Sequence, residues 1–484
     1  MTIPPGARRP RALALLLASA LALPACAAAP DLGTAPPLGS KALASPQASL
    51  QASAGPSSPW PADAWWRNYG DAQLNALIDD ALSGAPDMAQ AAARVRSAQA
   101  IVQQTGAARL PSLTANGRAN EVKQSQNNGV PAAFVPDGWQ DSGQASLDLS
   151  WDLDFWGKNR KALDAALSSA EAAKADAAAA RLTLSTAVAS AYGDFARLHA
   201  DRDAAEDAMK ARTATLQLIA QRAGEGLETQ AAVKRAEAGQ ASAAADLAAT
   251  DEQLALTRNR IAALVGQGPD RGQALRRPAQ PTLRAFGLPQ DLQADLLGRR
   301  PDLTAARLRA EAAASRVGVA KADFYPNVRL TGLIGFQSLG LDMLTKAGSA
   351  YGNVGPAISL PIFTGGRLQG AYRGARAEYD LAVATYDATL VRALNDVADV
   401  AASQGALGAR LDRSREAYTA SDAAYRLAVT RYRGGLSTYL DVLSAEDALI
   451  TSRRAVADLE TRAFTLDVAL AKALGGGFHQ LPKA

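Results

Sequence analysis

From Ala145 to Phe155 apolar and polar residues alternate without interruption. Ala145, Leu147, Leu149, Trp151, Leu153 and Phe155 form one set; Ser146, Asp148, Ser150, Asp152 and Asp154 form the other. A period of two predicts a strand with one apolar and one polar face. Its eleven residues match the length of a tilted strand crossing a bilayer. A second apolar face runs through Val354, Pro356, Ile358, Leu360 and Ile362. Shorter alternations follow two prolines: Leu113, Ala115, Gly117 and Ala119 after Pro111, and Val328, Leu330, Gly332, Ile334 and Phe336 after Pro326.

Elsewhere the period changes to that of helices. A heptad seam runs from Leu163 through Leu184, Val188, Phe195, Leu198 and Met209 to Ile219, interrupted by Lys174, Arg181, Arg202 and Arg212. Another runs from Tyr372 through Val383, Tyr386, Leu390, Val397 and Leu411 to Tyr425. Such seams predict coiled-coil packing, with the many alanines permitting close approach. No proline lies between Pro136 and Pro269, or between Pro361 and Pro482, so nothing there breaks a helix. A helix from Gly157 to Ala223 would run for about 65 residues, roughly 100 Å at 1.5 Å per residue.

The chain is internally duplicated. The segment around Pro86-Asp87, ending in Pro111, aligns with that around Pro301-Asp302, ending in Pro326. Further on, Leu149-Ser150-Trp151 aligns with Ile358-Ser359-Leu360, Gly157-Lys158 with Gly366-Arg367, Gly226-Leu227 with Gly435-Leu436, and Val265-Gly266 with Leu474-Gly475. The offset slips once, in the Asn127–Gly143 region, where Gly, Pro and Asn predict a loop. Each half reads as helix, strand, loop, strand, long helix, turn, long helix. The fold class expected is mainly α with a transmembrane β-barrel portion. Four strands per chain cannot close a barrel, and an open edge in lipid leaves backbone groups without partners. The chain must therefore associate: two copies give eight strands and a filled interior, three give twelve and room for a pore.

The N-terminus carries Arg8, Arg9 and Arg11, then an apolar stretch from Ala12 to Leu23 too short to span a bilayer. That is the layout of a secretory signal. Cys26 follows Leu23-Pro24-Ala25, and it resembles the acylated cysteine of a bacterial lipobox. Ala27 in place of Asp favours the outer membrane by the same resemblance. The organisation expected is a signal peptide at 1–25, a lipidated strap at 26–61, a first repeat at 62–266, a linker at 267–290, a second repeat at 291–475 and a tail at 476–484. Ordered structure is expected to begin over Trp60 to Ile78, with Trp65, Trp66, Leu74, Leu77 and Ile78 as its packing residues.

Composition narrows the chemistry. Over 484 residues there are one Cys and two His, which gives no basis for a disulfide framework or a zinc site. The formal charge of +4 from 51 basic and 47 acidic residues falls to about +1 without the three signal arginines, so nothing points to nucleic acid. No nucleophile elbow, phosphate loop or HExxH motif is present, so neither an enzyme nor a cofactor is expected. After the signal, no apolar run reaches the roughly 18 residues of a membrane-spanning helix.

Several motifs carry a family resemblance: Trp65-Trp66 with Asp71 and Leu74, RRPDLTAARLRAEAAASRVGVAKADFYPNVRLTG from Arg299, ISLPIFTGGR from Ile358, RYRGGLSTYLDVLSAEDAL from Arg431, and ALGGGF from Ala473. Together they resemble the TolC/OprM-type outer-membrane efflux proteins, in their NodT-like lipoprotein branch. The resemblance implies a homotrimer with a twelve-stranded barrel and a helical periplasmic tunnel. It further implies a periplasmic adaptor protein and an inner-membrane pump of the resistance-nodulation-division type. It places a gate at Tyr432, Leu440, Asp441, Ser444 and Asp447, and adaptor contacts at Gly226, Leu227, Thr229, Gly435, Leu436 and Ser437. Leu147, Leu149, Trp151, Leu153, Ile358, Leu360 and Ile362 are the expected lipid-facing residues. A duct for type I protein secretion shares the architecture, and a structural coiled-coil protein shares the helices alone.

Overall fold

The computed structural model describes residues 29–39, 59–279 and 298–479. Cys26, the signal segment, residues 280–290 of the expected linker and residues 480–484 of the tail lie outside them. The described helices and strands, in chain order, are α1 Ala72–Gly84, α2 Pro86–Ala107, β1 Ser112–Val122, β2 Gln140–Asp152, α3 Lys158–Gly224, α4 Gln230–Leu264, α5 Asp270–Gln273, α6 Pro301–Ala322, β3 Asn327–Leu339, β4 Ala350–Ser359, α7 Arg367–Arg433 and α8 Tyr439–Ala473. Three pairs of helices match in length. α2 and α6 have 22 residues each, α3 and α7 have 67, and α4 and α8 have 35. None of the described helices is long and apolar enough to cross a membrane.

The chain divides into two compact units, and each draws on both the first and the second half of the chain. One holds the described part of Met1–Leu38 with Arg96–Glu171 and Arg307–Thr385. It contains the sheet, antiparallel throughout, in the order β1-β2-β3-β4. Leu147 pairs with Ala115 and Ile334, and Trp151 with Leu330. The register therefore keeps the apolar sets of all four strands on one face. In the same unit, Arg376 of α7 donates to the carbonyls of Gly33 and Thr34 at 3.2 and 2.7 Å, and the Tyr379 hydroxyl donates to Pro36 O at 3.2 Å. A stretch of the strap is thus fixed to α7.

β2 is displaced from its expected position. It starts five residues earlier, because pairing with β1 continues through Gln144, Gly143 and Ser142 to Val122↔Gln140, where side chains no longer alternate in polarity. It ends at Asp152, so Leu153 lies just beyond it, although its N–H still bonds Val328 O at 3.0 Å. The cause is Asp154. Its φ is 49°, and its carboxylate accepts from the N–H groups of Asn159 and Arg160 at 2.9 Å each, which starts α3. β4 likewise ends at Ser359, leaving the expected strand positions Leu360 and Ile362 outside it. Pro361 has no N–H to continue a ladder.

The other unit holds Gly39–Val95, Ala172–Ala306 and Tyr386–Ala484. Its main core packs Trp65, Trp66, Tyr69, Leu74, Leu77 and Ile78 against Val188, Phe195, Leu254, Ile261 and Phe464. Each such side chain contributes roughly 1.5–3 kcal/mol by leaving water. Asp71 fixes the entry to α1: its Oδ1 caps the N–H groups of Gln73 and Leu74 at 2.8 and 3.0 Å, and its Oδ2 accepts from Tyr192 Oη at 2.7 Å.

Candidate functional site

Two regions carry the expected functional residues, one in each unit. The first comprises the turns joining α3 to α4 and α7 to α8. Both turns close in the same way. Leu227 N–H bonds Arg222 O, and Leu436 N–H bonds Arg431 O, each at 2.8 Å. Gly226 and Gly435 sit at φ 72° and 73°, a conformation costly for any residue with a Cβ. Thr229 then caps α4 by accepting from Ala232 N–H at 3.2 Å. Thr438 begins α8, where Asp441 Oδ2 accepts from the Thr438 N–H at 2.9 Å and from its hydroxyl at 3.0 Å. These hydrogen bonds, the backbone one foremost, hold the Asp441 carboxyl below the usual carboxylate range. Leu227 and Leu436, the apolar residues of the two turns, are exposed, and Ser437 is half-buried.

The expected gate residues divide into two groups. Leu440, Ser444 and Asp447 are spaced four and three apart on α8 and share one helical face; Leu440 and Asp447 are exposed. Tyr432 is buried instead, in a cluster with Ile219, Ala232, Ala236, Tyr439 and Val442. Its hydroxyl donates to Glu228 Oε1 at 3.0 Å, and the Arg222 guanidinium lies 5.3 Å from its ring centroid. Burial and the neighbouring Glu228 push the phenol up to about 12, so it stays a hydrogen-bond donor at neutral pH.

Beside this cluster is a charged knot. Arg212 of α3 meets Glu446 Oε1 at 3.1 Å and Asp447 Oδ1 at 2.6 Å, and donates to Gly239 O of α4 at 3.2 Å. Glu446 is buried; desolvation raises its pKa against the pull of Arg212. One arginine thereby joins both hairpins. Glu228, Arg222 and Glu446 are not among the expected residues. Two signals in the sequence point toward the knot: Arg212 interrupts an apolar seam, and Glu446 falls seven residues after Tyr439 on a stripe that also holds Val442.

The second region is the sheet. Its apolar face carries Leu113, Leu147, Trp151, Ile334, Val354 and Ile358, all exposed, with Leu149 half-buried. The opposite face is polar and internally bonded. Asp148 Oδ2 accepts from Asn116 at 2.7 Å and Ser146 at 2.8 Å, Arg329 pairs with Asp152 at 2.8 Å, and Gln144 donates to Tyr351 Oη at 2.6 Å. Leaving a continuous apolar face exposed while tying down the polar one is the reverse of what a water-surrounded sheet does. β1 and β4 form the two free edges.

Comparison with known proteins agrees with this geometry. The model of the outer membrane efflux protein family matches residues 77–267 and 292–476. The fusaric acid resistance protein FusA of Burkholderia cepacia is 38% identical over 325 residues, covering 66% of this chain and 60% of FusA. The multidrug resistance outer membrane protein MdtP of Escherichia coli K12 is 30% identical over 433 residues, 88% of each chain. Among solved structures, the outer membrane protein VceC of Vibrio cholerae superposes with a TM-score of 0.82 at 47% identity, covering 87% of this chain and all of VceC. With the family model matching most of the chain and MdtP matched along most of its length, the chain belongs to the outer membrane efflux protein family.

Proposed function

We propose that the chain is the passive exit duct of a tripartite efflux pump. Three copies join β4 of one to β1 of the next, giving twelve strands in the outer membrane. The long helices extend into the periplasm and receive cargo from an adaptor and an inner-membrane pump of the resistance-nodulation-division type. The observation that carries this reading is the four-stranded sheet, with its apolar face exposed and both edges unpaired, in a chain that also builds two helices of 67 residues each. A sheet with open edges is not stable in lipid, whereas a closed ring of twelve leaves a lumen. A structural coiled-coil protein has no use for such a sheet.

In this assembly Leu147, Leu149, Trp151 and Ile358 face lipid, and Cys26 bears the acyl anchor. Gly226, Leu227, Thr229, Gly435, Leu436 and Ser437 form the knobs that an adaptor grips. Leu440, Asp441, Ser444 and Asp447 approach the threefold axis, where leucines exclude water and carboxylates favour cations; Tyr432 locks them from behind. Relatives named for multidrug and fusaric acid resistance support small toxic organic molecules as cargo, in preference to secreted proteins.

The test is a deletion strain and its isolated outer membrane. Loss of the gene lowers resistance to a panel of toxic organic compounds, and the chain extracts as a heat-modifiable trimer together with an adaptor. A monomer in the soluble fraction would overturn the proposal.

A further inference from the structure

Where the strands enter and leave the helices, the sheet ends in exposed aromatic side chains. Phe155 and Phe363 are 64% and 90% exposed. Trp156 stacks on Tyr325 with centroids 4.8 Å apart and rings inclined by 20°, and both are exposed. The Trp156 indole donates to Pro326 O at 2.7 Å, so its polar edge is satisfied and the ring is held in one orientation. Two arginines flank this set: Arg109, three residues before β1, and Arg367, the first residue of α7. Both are exposed. Neither guanidinium has a hydrogen-bond or ion-pair partner among the described residues. Three other cations at this end of the sheet are paired, Lys158 with Asp323 at 2.7 Å, Arg160 with Asp154 at 3.6 Å and Lys161 with Asp164 at 3.4 Å.

Aromatic rings with one satisfied polar edge suit the boundary between acyl chains and headgroups. An unpaired guanidinium is a fork of donors matched to phosphate. A zwitterionic headgroup brings its own ammonium, which repels the arginine; an anionic one does not. We infer that Phe155, Trp156, Tyr325 and Phe363 with Arg109 and Arg367 form a collar that binds anionic phospholipid headgroups of the inner leaflet. The inference rests on the proposed barrel, since only then does the apolar sheet face place the collar at a membrane surface.

The test uses the full-length trimer in phosphatidylcholine vesicles with and without added phosphatidylglycerol. Insertion is read as flotation with the vesicles after an alkaline wash, and binding as the temperature at which the trimer dissociates. Phosphatidylglycerol is expected to raise that temperature for the wild type, and added salt is expected to shrink the rise. The double variant Arg109→Gln/Arg367→Gln is expected to lose most of the rise, and Arg109→Lys/Arg367→Lys to recover part of it. A wild type that inserts without any response to phosphatidylglycerol overturns the collar and leaves the barrel standing, as does a glutamine variant that keeps the full response. If the wild type does not insert into vesicles of either lipid, the barrel itself is wrong and the collar falls with it. Because the salt dependence is read on the wild type, the outcome does not hang on the variants folding.

Discussion

The Tyr432 hydroxyl donates to Glu228 Oε1 at 3.0 Å, tying the last turn of α7 to the loop that opens α4. The two residues belong to different hairpins, so any outward movement of one hairpin past the other must break this bond. Tyr432→Phe keeps the packed ring and removes only the donor. A hydrogen bond to a charged acceptor is worth about 1.5–3 kcal/mol. The expected result is a higher open probability for the variant in planar bilayers. An open probability indistinguishable from wild type would remove Tyr432 from the proposed gate.

Arg212 closes the same gap a little farther along the helices. Arg212→Ala leaves Glu446 buried without its cation, and breaking a buried pair from one side costs on the order of 3 kcal/mol. The proposed trimer should dissociate at a clearly lower temperature. In Arg212→Ala/Glu446→Gln the orphaned charge is gone, so the double variant should be more stable than Arg212→Ala alone. Strictly additive losses would mean that the two side chains do not act as a pair.

How far the sequence discloses these features depends on how local their causes are. The long helices and the sheet faces follow from periodicity, and Leu147, Trp151 and Ile358 share the expected face because a strand alternates whatever its partners. The ends of the strands follow from single residues acting at a distance. Leu153 leaves β2 because the Asp154 carboxylate reaches forward to Asn159 and Arg160, a contact that alternation does not encode. The proposed gate is less legible still. Tyr432 and Asp447 are both polar residues near one tip, yet Tyr432 is buried and Asp447 exposed. Only the packing of one hairpin against the other separates them, and it pairs each with a residue more than 200 positions away.

Asp441 serves two roles that substitutions can separate. Its carboxylate caps the start of α8 through Thr438, and in the proposed trimer its charge lies near the axis. Asp441→Ala removes both and should loosen the first turn of α8, seen as faster amide exchange over residues 438–442. Asp441→Asn keeps an oxygen that can accept from Thr438 and removes the charge. It should leave exchange nearly unchanged while lowering the preference for cations, measured as a reversal potential under a salt gradient. Combined with Tyr432→Phe, it should raise conductance further. An unaltered reversal potential in Asp441→Asn would leave only the capping role.

Asp467 of α8 gives the fold a pH dependence of definite sign. It is 5% exposed, and its Oδ2 has no hydrogen-bond partner among the described residues. It lies three residues from Phe464, which packs against Tyr69 at 4.8 Å. Tyr69 is the titratable neighbour that feels its charge, while on α3 the Tyr192 hydroxyl is already committed to Asp71. With no cation to offset burial, the carboxyl is pushed up from 3.8 to about 7. A carboxyl with a raised folded-state pKa is tolerated when protonated and costs stability when ionised. The penalty is absent below about pH 3.8, grows as pH rises, and is complete once pH passes about 7. At pH 8 it amounts to a few kcal/mol, because each tenfold change in proton affinity between the folded and unfolded chain is worth about 1.4 kcal/mol. Asp467→Asn, neutral at every pH, should therefore be more stable than wild type at pH 8, and the gap should close steadily toward pH 4. Other carboxyls titrate in both proteins and cancel in the difference between their melting curves. A gap that stays constant from pH 8 to pH 4 would show that burial does not raise the Asp467 carboxyl above its value in the unfolded chain.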